Sequence, residues 1–191
     1  MKAMVVACVI GCSVPVGASA AELPPDSVAQ PRMLVEKYQK ELSAELMAAM
    51  TKGPAAAVNV CKDAAPAIAS RLSRESGWQI KRISLRVRNP LIGTPDPWEQ
   101  KKLIEFEQAV GGGAEPAKLE SFSIVDEPNG RSERYLKGIA LGPLCESCHG
   151  DPRLQSAELR QALTDAYPHD AAVGYKAGQL RGAFSLKRVL P

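Results

Sequence analysis

Beyond its first residues, the sequence lacks a long apolar run, and it lacks an excess of charge of either sign. A helix that spans a bilayer needs about 20 apolar residues, and no later segment reaches that length. The 24 Lys and Arg residues nearly balance the 21 Asp and Glu residues, which argues against the clustered basic surface of nucleic-acid-binding proteins. Histidine is also scarce, at two residues, so any site that requires imidazole ligands has few candidates.

The first twenty residues have the features of a secretory signal peptide. Lys2 gives a positive start, an apolar run extends from Val5 to Val16, and Ala18-Ser19-Ala20 offers small residues for cleavage near Ala20. The run is too short for a permanent membrane helix. A lipoprotein signal, in which Val9-Ile10-Gly11 precedes Cys12, is the less favoured alternative. We therefore expect a periplasmic or otherwise exported protein, with no transmembrane segment in the mature chain.

After this leader, residues 21–30 carry prolines and a serine and are expected to form an extended lead-in, which leaves residues 31–191 as a single domain. Apolar residues three and four apart predict helices, and alternating ones predict strands. Because helices come first and strands follow with helical inserts, we expect an α+β domain with a mostly antiparallel sheet. The expected helices span 32–51, 55–75, 97–110 and 156–164, and the expected strands span 78–87, 118–126, 131–140 and 182–189.

A proline interrupts the second expected helix. Pro66 has no N–H to bond the carbonyl of Lys62, so we expect a bend or a restart there, with Asp63 as the cap of the new segment. Cys61 is then expected to lie at the bend and to face inward. The other expected breaks are a loop over 89–95, a cap at Asp96 and a turn over 127–130.

The cysteines are few and odd in number. Of the five in the sequence, Cys8 and Cys12 lie in the predicted leader, so the mature chain keeps Cys61, Cys145 and Cys148. Thiols in an oxidising compartment usually pair. If a cofactor consumes Cys145 and Cys148, Cys61 stands alone, and its survival requires an explanation.

The segment Cys145-Glu146-Ser147-Cys148-His149 has the Cys-x-x-Cys-His pattern of covalent haem attachment. Two thiols at this spacing can reach the two vinyl groups on one porphyrin edge, and the adjacent histidine then projects towards the iron. Attachment takes place outside the cytoplasm, in agreement with the predicted leader. We therefore expect one covalent haem c, held by Cys145 and Cys148, with His149 as an iron ligand.

Two other kinds of site use the same residue types. A Cys-x-x-Cys pair can be a thiol–disulfide site, but such motifs usually open a helix after a strand, and no thioredoxin-like βαβ pattern is present. A zinc site needs four ligands, which Cys61, Cys145, Cys148 and His149 can formally supply. The motif and the predicted export together favour haem over both alternatives.

A six-coordinate iron needs a second axial ligand, and the mature chain offers few. His169 is the only other histidine, but its neighbours are typical of a surface loop. Cys61 lies on an apolar helix face. An ordinary buried cysteine is one interpretation, whereas a thiolate bound to iron would explain its survival and would favour the ferric state. The residues alone favour Cys61 over His169 without excluding His169. Core packing is the expected role of the three mature methionines, Met33, Met47 and Met50.

Segments spread over nearly the whole mature chain carry a resemblance to a known family. They are residues 60–69, with the pattern Cys-Lys-x-x-x-Pro, and residues 83–90, 96–99, 134–137 and 145–150. In these segments the chain resembles a family of small single-haem c-type proteins with a PAS-like α/β fold. That family is known as a domain of unknown function. That family includes exported proteins and the sensory parts of membrane histidine kinases. The resemblance implies a His/Cys-ligated haem iron in which Cys61 is the cysteine ligand.

Three arginines, Arg82, Arg86 and Arg88, alternate along the first expected strand and are expected to line one of its faces. Such a stripe is usually solvated. Guanidinium groups also bind carboxylates in a bidentate manner, so one or two of the three are alternative candidates for holding haem propionates. The large aromatic residues expected to pack in the core are Trp78, Trp98, Phe122 and Tyr135.

The favoured function is that of a haem-based sensor or redox-responsive binding protein, in which a diatomic gas or reduction releases Cys61. This hypothesis rests on the PAS-like resemblance and on a displaceable thiolate. Electron transfer to a redox partner protein, as a small exported cytochrome, is an alternative that needs the same haem. Sulfur-compound oxidation is a third, but no acid–base constellation accompanies the motif, so an enzyme is not expected.

Overall fold

The structure is a computed structural model that describes residues 25–128 and 130–191. The predicted signal peptide, residues 21–24 of the predicted lead-in and Asn129 of the predicted turn lie outside these ranges. The described residues form seven α-helices, with a π-helical turn at Val60–Ala64 and 3-10 turns at Pro116–Lys118 and Pro152–Leu154, and four strands. These are α1 (Pro25–Met50), α2 (Pro54–Asn59), α3 (Ala65–Ser76), β1 (Gln79–Ile83), α4 (Pro90–Gly93), α5 (Pro97–Gly111), β2 (Glu120–Glu127), β3 (Gly130–Ala140), α6 (Pro143–His149), α7 (Ala157–Ala166) and β4 (Leu180–Val189).

The strands of the described chain form one antiparallel sheet in the order β1-β4-β3-β2. The last strand lies between the first and the third, with Ile80 opposite Leu186 and Tyr135 opposite the same Leu186. Strands β2 and β3 form a hairpin in which Phe122 pairs with Tyr135. The α+β, PAS-like architecture expected from the sequence is therefore confirmed.

The sheet has two differently covered faces, because side chains alternate along each strand. On the first, which we term the cavity face, Ile80, Tyr135, Phe184 and Leu186 pack against α1 and α3. On the second, the α5 face, the core residues of the sheet are Ile83, Leu136 and Ala183, which pack against Leu103 and Phe106 of α5. The expected core aromatics agree, since Trp78 and Tyr135 are buried in the first cluster, Phe122 packs against it and Trp98 packs against the second.

Helix α1 begins earlier than the sequence pattern indicates. It starts at Pro25 and contains Pro31, so the extended lead-in predicted for residues 21–30 is wrong from residue 25 onwards. The physical reason is burial: Val28, Pro31, Val35 and Tyr38 form one buried stripe along the helix. Packing of that stripe outweighs the hydrogen bond that Pro31 cannot donate.

The second helical stretch is broken differently from the prediction. Helix α2 ends at Asn59, the π-helical turn follows, and α3 begins at Ala65 with Pro66 in its first turn. Asp63 lies inside the π turn and does not cap α3, whose N-cap position is Ala64 without a side-chain hydrogen bond. A π turn contains one extra residue, which accommodates the backbone hydrogen bond that Pro66 cannot donate. Cys61 lies within this turn.

Strand β1 is half the predicted length and ends at Ile83. The hydroxyl of Ser84 donates to the carbonyl oxygen of Arg181 and accepts from the N–H of Arg86, at 2.8 and 3.2 Å. This local turn replaces the sheet ladder. Arg82, Arg86 and Arg88 therefore do not share one strand face, which corrects the predicted stripe. The predicted loop over 89–95 contains the short helix α4.

The remaining elements agree with the sequence pattern. Asp96 and Glu99 form a reciprocal capping box at the start of α5, and Ser156 caps α7. Strands β2, β3 and β4 begin and end within two residues of their predicted limits. Within the described ranges, no helix combines the length and the apolar character needed to cross a membrane.

Candidate functional site

A single large cavity brings together most of the residues that the sequence singled out. Its volume is about 530 Å³, and its lining includes Cys61, Cys145, Cys148 and His149. Helix α6, the end of α1, helix α2 and the π turn all contribute side chains to its lining. The end of β1 and the start of β4 close the cavity on the cavity face of the sheet.

Helix α6 presents the Cys-x-x-Cys-His motif to this cavity. Gly142 precedes the helix and Pro143 occupies its first turn, where a missing N–H costs nothing. Because Cys145 and Cys148 are three positions apart, both thiols lie on one helix face. His149 is the last residue of the helix, and the chain leaves at Gly150, where a Cβ would overlap the carbonyl oxygen of Glu146 closely.

The imidazole of His149 is neutral and oriented. Its Nδ1 lies 2.8 Å from the carbonyl oxygen of the fully buried Ala172. A carbonyl can only accept, so Nδ1 carries the proton and Nε2 keeps a free lone pair. Burial, followed by the positive charges of Arg181, Arg88 and Arg82, lowers the pKa of His149 to about 2. This imidazole is thus prepared to bind a metal through Nε2.

A buried ion pair holds the loop that orients His149. Nε and Nη2 of Arg88 both lie 2.9 Å from Asp170 Oδ2, and Nη2 also donates to the carbonyl oxygens of Cys148 and Ala172, at 2.6 and 3.3 Å. The other oxygen of Asp170 accepts from the N–H of Ala172 at 2.7 Å. One guanidinium therefore ties the motif helix to the carbonyl that positions His149.

The two motif cysteines are free thiols rather than a disulfide. Burial raises the pKa of the Cys145 thiol, and the neighbouring Cys61 adds to this effect. Burial also raises the pKa of Cys148 to about 11. Reactive redox cysteines have a lowered pKa instead, so this environment does not suit thiol–disulfide exchange.

The arrangement does not suit a bound single ion either. Within residues 25–128 and 130–191, no three His, Cys, Asp or Glu side chains are gathered closely enough to hold a metal ion. Cys61 and His149 line the same cavity but come from different elements, the π turn and α6. The four residues considered as zinc ligands thus frame a space suited to a larger group.

Cys61 lies in the π turn and lines the cavity. It is partly buried, and π turns inside helices are often found at functional sites. Apolar side chains of α1 and α2, among them Leu42, Leu46 and Val58, line the same cavity. The predicted inward orientation of Cys61 at a bend is therefore what the structure shows.

The other candidate iron ligands differ in whether they line the cavity. His169 is exposed and is not part of the cavity lining. Met33 and Met47 are also exposed, which corrects the expectation that they pack in the core. Met50 lines the cavity at the end of α1. Cys61 and Met50 thus supply a thiol and a thioether to the cavity that His149 lines.

The arginines also differ from the expectation. Arg82 and Arg88 line the cavity, whereas Arg86 is exposed and its guanidinium lies 3.7 Å from the ring centroid of Tyr175. Sequence reasoning missed Arg181, which also lines the cavity and whose guanidinium carbon lies 5.3 Å from the same ring centroid. Burial, together with Arg88 and Arg82, lowers the pKa of Arg181 to about 10. An irregularity in the pairing of β3 with β4 directs Arg181 into the cavity, and the sequence pattern does not reveal this irregularity.

Comparison with known proteins places the chain in a family. The model of the family described as Tll0287-like matches residues 23–188, whereas no curated protein matches the chain. Among solved structures, the chain is similar to the crystal structure of the cyanobacterial heme-protein Tll0287. The TM-score is 0.62 and the identity 20%, over 88% of this chain and 97% of that chain; this likeness reflects a shared fold. Because the family model matches most of its length, this protein belongs to the Tll0287-like family.

Proposed function

We propose that this protein binds one c-type haem covalently through Cys145 and Cys148, with His149 and Cys61 as axial ligands, and acts as a sensor of redox state or of a diatomic gas. The observation that carries the proposal is one cavity lined both by the Cys-x-x-Cys-His helix and by the thiol of Cys61 from a separate element. The similar solved structure is that of a heme-protein, which supports the same cofactor.

The residues present fit a haem. The cavity volume of about 530 Å³ lies in the range of about 300–1,000 Å³ that is usual for cofactor sites. The lining is mostly apolar, as a porphyrin requires, and it includes guanidinium groups. Nε of Arg181 is buried without a partner among the described residues, which leaves a donor for a carboxylate of the bound group.

When bound, haem supplies an iron that changes oxidation state and takes up small gases. The residues around it determine how the fold responds to either event. His149 is fixed through Ala172 and remains in place, whereas Cys61 lies on a π turn that can readjust its register. Protonation or displacement of the Cys61 thiolate would release the link between α6 and the π turn. We propose that this release is the signal that the fold transmits.

The direct test begins with the full chain, produced with a c-type haem maturation system. We expect a covalent mass gain of one haem, a Soret band, and a spectral change when the reduced protein meets nitric oxide or carbon monoxide. Spectra that no gas alters, in both the wild type and a Cys61→Ala variant, would end the gas-sensing proposal while leaving haem binding intact. Absence of the mass gain would end both.

Electron transfer is a second candidate, favoured by the mouth of the cavity. Leu91, Ile92 and Leu144 line the cavity and are exposed, Leu91 to 92%. A haem edge that reaches this apolar rim could exchange electrons with a partner protein. Fast, reversible electron exchange without any ligand change on reduction would favour this candidate over sensing. Thiosulfate turnover by the purified haem protein would instead favour the third alternative, sulfur-compound oxidation.

We also propose that the chain is exported before haem is attached. The support is the leader-like pattern of Lys2, Val5 to Val16 and Ala18-Ser19-Ala20. Mass spectrometry of the mature protein should find an N-terminus next to Ala20. A lipidated N-terminus at Cys12 would favour the lipoprotein alternative.

A further inference from the structure

Two arginines of the cavity have no acidic partner. Among the ion pairs of residues 25–128 and 130–191, none involves Arg82 or Arg181. The side chain of Arg82 extends from the cavity face of β1, with its guanidinium carbon 5.8 Å from the ring centroid of Tyr38. Arg181 makes one long hydrogen bond, from Nη1 to the carbonyl oxygen of Arg86 at 3.3 Å, and its buried Nε makes none. Both side chains are partly buried, and a cation withdrawn from water without a counter-charge is costly, so both positions call for an anion.

A β-bulge places Arg181 in the cavity. Leu180 pairs with Ala140 and Gly182 pairs with Ile139, so Arg181 is an extra residue in β4 that faces no partner in β3. In a regular strand, Arg181 would lie on the α5 face with Ala183. Instead Leu180 packs on that face, and Arg181 lines the cavity. Bulges that redirect a side chain in this way are common beside functional sites.

Gly182 makes the bulge possible. Its φ of +153° is strained for a residue with a side chain, and a Cβ there would overlap the carbonyl oxygen of Ile83. The glycine therefore lies in β4 at the position where the backbone turns the side chain of Arg181 towards the cavity. A strand that served only to hold the sheet together would not need this bulge.

The other two arginines near the site are already engaged. Arg88 is compensated by Asp170. Arg86 is exposed, lies over the ring of Tyr175 and donates to the carbonyl oxygen of Val173 at 2.9 Å. The cavity thus retains two uncompensated guanidinium charges, those of Arg82 and Arg181.

We infer that Arg82 and Arg181 bind the two propionate carboxylates of the haem. The inference rests on the proposed function, and it assigns the polar end of the cofactor to residues on β1 and β4. The charges of ferric iron, porphyrin and one thiolate cancel, so the two propionates are the anions that remain to be neutralised. Guanidinium groups suit this task because their paired donors match a carboxylate.

The test uses resonance Raman spectra of the holoprotein in the wild type and in Arg82→Gln, Arg181→Gln and Arg86→Gln variants. The propionate bending bands report hydrogen bonding to each carboxylate. We expect these bands to shift in Arg82→Gln and Arg181→Gln and to remain unchanged in Arg86→Gln, which removes the same charge without a cavity contact. The reduction potential of the first two variants should also become pH dependent near neutrality, because a propionate without its arginine takes up a proton more readily.

The outcomes distinguish this inference from the proposed function. Wild-type protein without covalent haem would overturn both. Haem-loaded protein whose propionate bands are the same in all four proteins would overturn the inference alone. An Arg82→Gln variant that moves only the iron–sulfur band would assign Arg82 to the Cys61 thiolate instead. If a glutamine variant fails to fold, Arg→Lys at the same position keeps the charge without the paired donors, and the same band comparison decides.

Discussion

On the α5 face of the sheet, the fully buried carboxylate of Glu99 accepts from the hydroxyl of Ser185 at 2.6 Å and from Lys81 Nζ at 2.9 Å. Arg134 pairs with Glu99 and Glu127 at 3.3 Å each. On the cavity face, Arg82 and Arg181 have no such carboxylate. The same residue type is thus satisfied within the chain on one face and left for a ligand on the other. The difference separates arginines that stabilise the fold from the two that we infer to bind the haem propionates.

The largest loss of stability is expected when the central carboxylate of the α5 face, that of Glu99, is removed. Glu99→Ala leaves the buried hydroxyl of Ser185 and the N–H of Asp96 without their acceptor. It also removes one of the carboxylates around Arg134, which keeps Asp96 and Glu127. We expect about 3 kcal/mol of destabilisation. The visible spectrum of the haem protein should not change, because α5 lies on the opposite face of the sheet. Denaturant unfolding measures the effect. Glu105→Ala on the same helix removes only a surface pair with Lys102 and should cost less than about 1 kcal/mol. Equal losses in the two variants would contradict the account.

Removing the cofactor should affect only one of the two faces. A Cys145→Ser/Cys148→Ser variant would not attach the haem that we propose, and the small cluster of Val58, Leu159 and Leu163 that joins α2 to α7 would lose its support. We expect hydrogen exchange in α2 and α7 to become about a hundredfold faster, which corresponds to about 2.7 kcal/mol. Amides of α5 in the same sample serve as the control. Equal acceleration in α5 would show that the two faces are not independent.

A smaller effect is expected where the cavity face does have an internal ion pair. Asp170→Asn weakens the hold of Arg88 on the carbonyl oxygen that positions His149, and we expect about 1–2 kcal/mol of destabilisation. A spectroscopic change in the iron ligation should accompany it. Thermal unfolding and absorption spectra measure the two effects. Asp165→Asn on α7, whose carboxylate accepts only from Gln161 at the surface, should leave both unchanged. A loss of stability without any spectral change would show that the Arg88–Asp170 pair has only a structural role.

The smallest effect concerns the pair that fixes α1 to the sheet edge. Burial opposes ionisation of Glu120, but Lys137 and Arg32 outweigh it and hold the pKa of Glu120 below its usual value. The stabilisation is therefore present above the unfolded pKa of about 4.3 and is lost as the pH falls through the folded value. Glu120→Gln should reduce the loss of stability in acid by less than about 1 kcal/mol. Urea unfolding at neutral and acidic pH measures the loss in the free energy of unfolding. The control is Glu115→Gln, at an exposed position. A Glu120→Gln variant with the same loss in acid as the wild type would contradict the prediction.

The sequence predicts those features that depend on local chemistry. The cap at Asp96 follows from an Asp directly before a proline and a helical pattern. The β2–β3 hairpin follows from alternation around a turn. The cofactor motif and Cys61 are recognisable because cysteine chemistry requires particular residues at particular spacings. In each case the responsible interactions lie within a few residues of one another.

Features that depend on distant contacts could not be predicted. The early start of α1 is stabilised by a buried stripe whose partners lie on α3 and the sheet. The bulge at Arg181 depends on pairing between strands about forty residues apart in sequence, and the partner of Arg88 lies beyond the motif at Asp170. The strand predicted through Val87 ends early because Ser84 bonds the distant Arg181. Periodicity carries no information about such pairs.

The central claim is that His149 and Cys61 hold one iron in the cavity, and electron spin resonance of the ferric holoprotein tests it most directly. We predict that wild-type protein and a Met50→Leu variant give the same low-spin signal of thiolate-ligated haem, and that Cys61→Ala loses it. A Cys61→Ala variant that keeps this signal, or a Met50→Leu variant that loses it, would contradict the account.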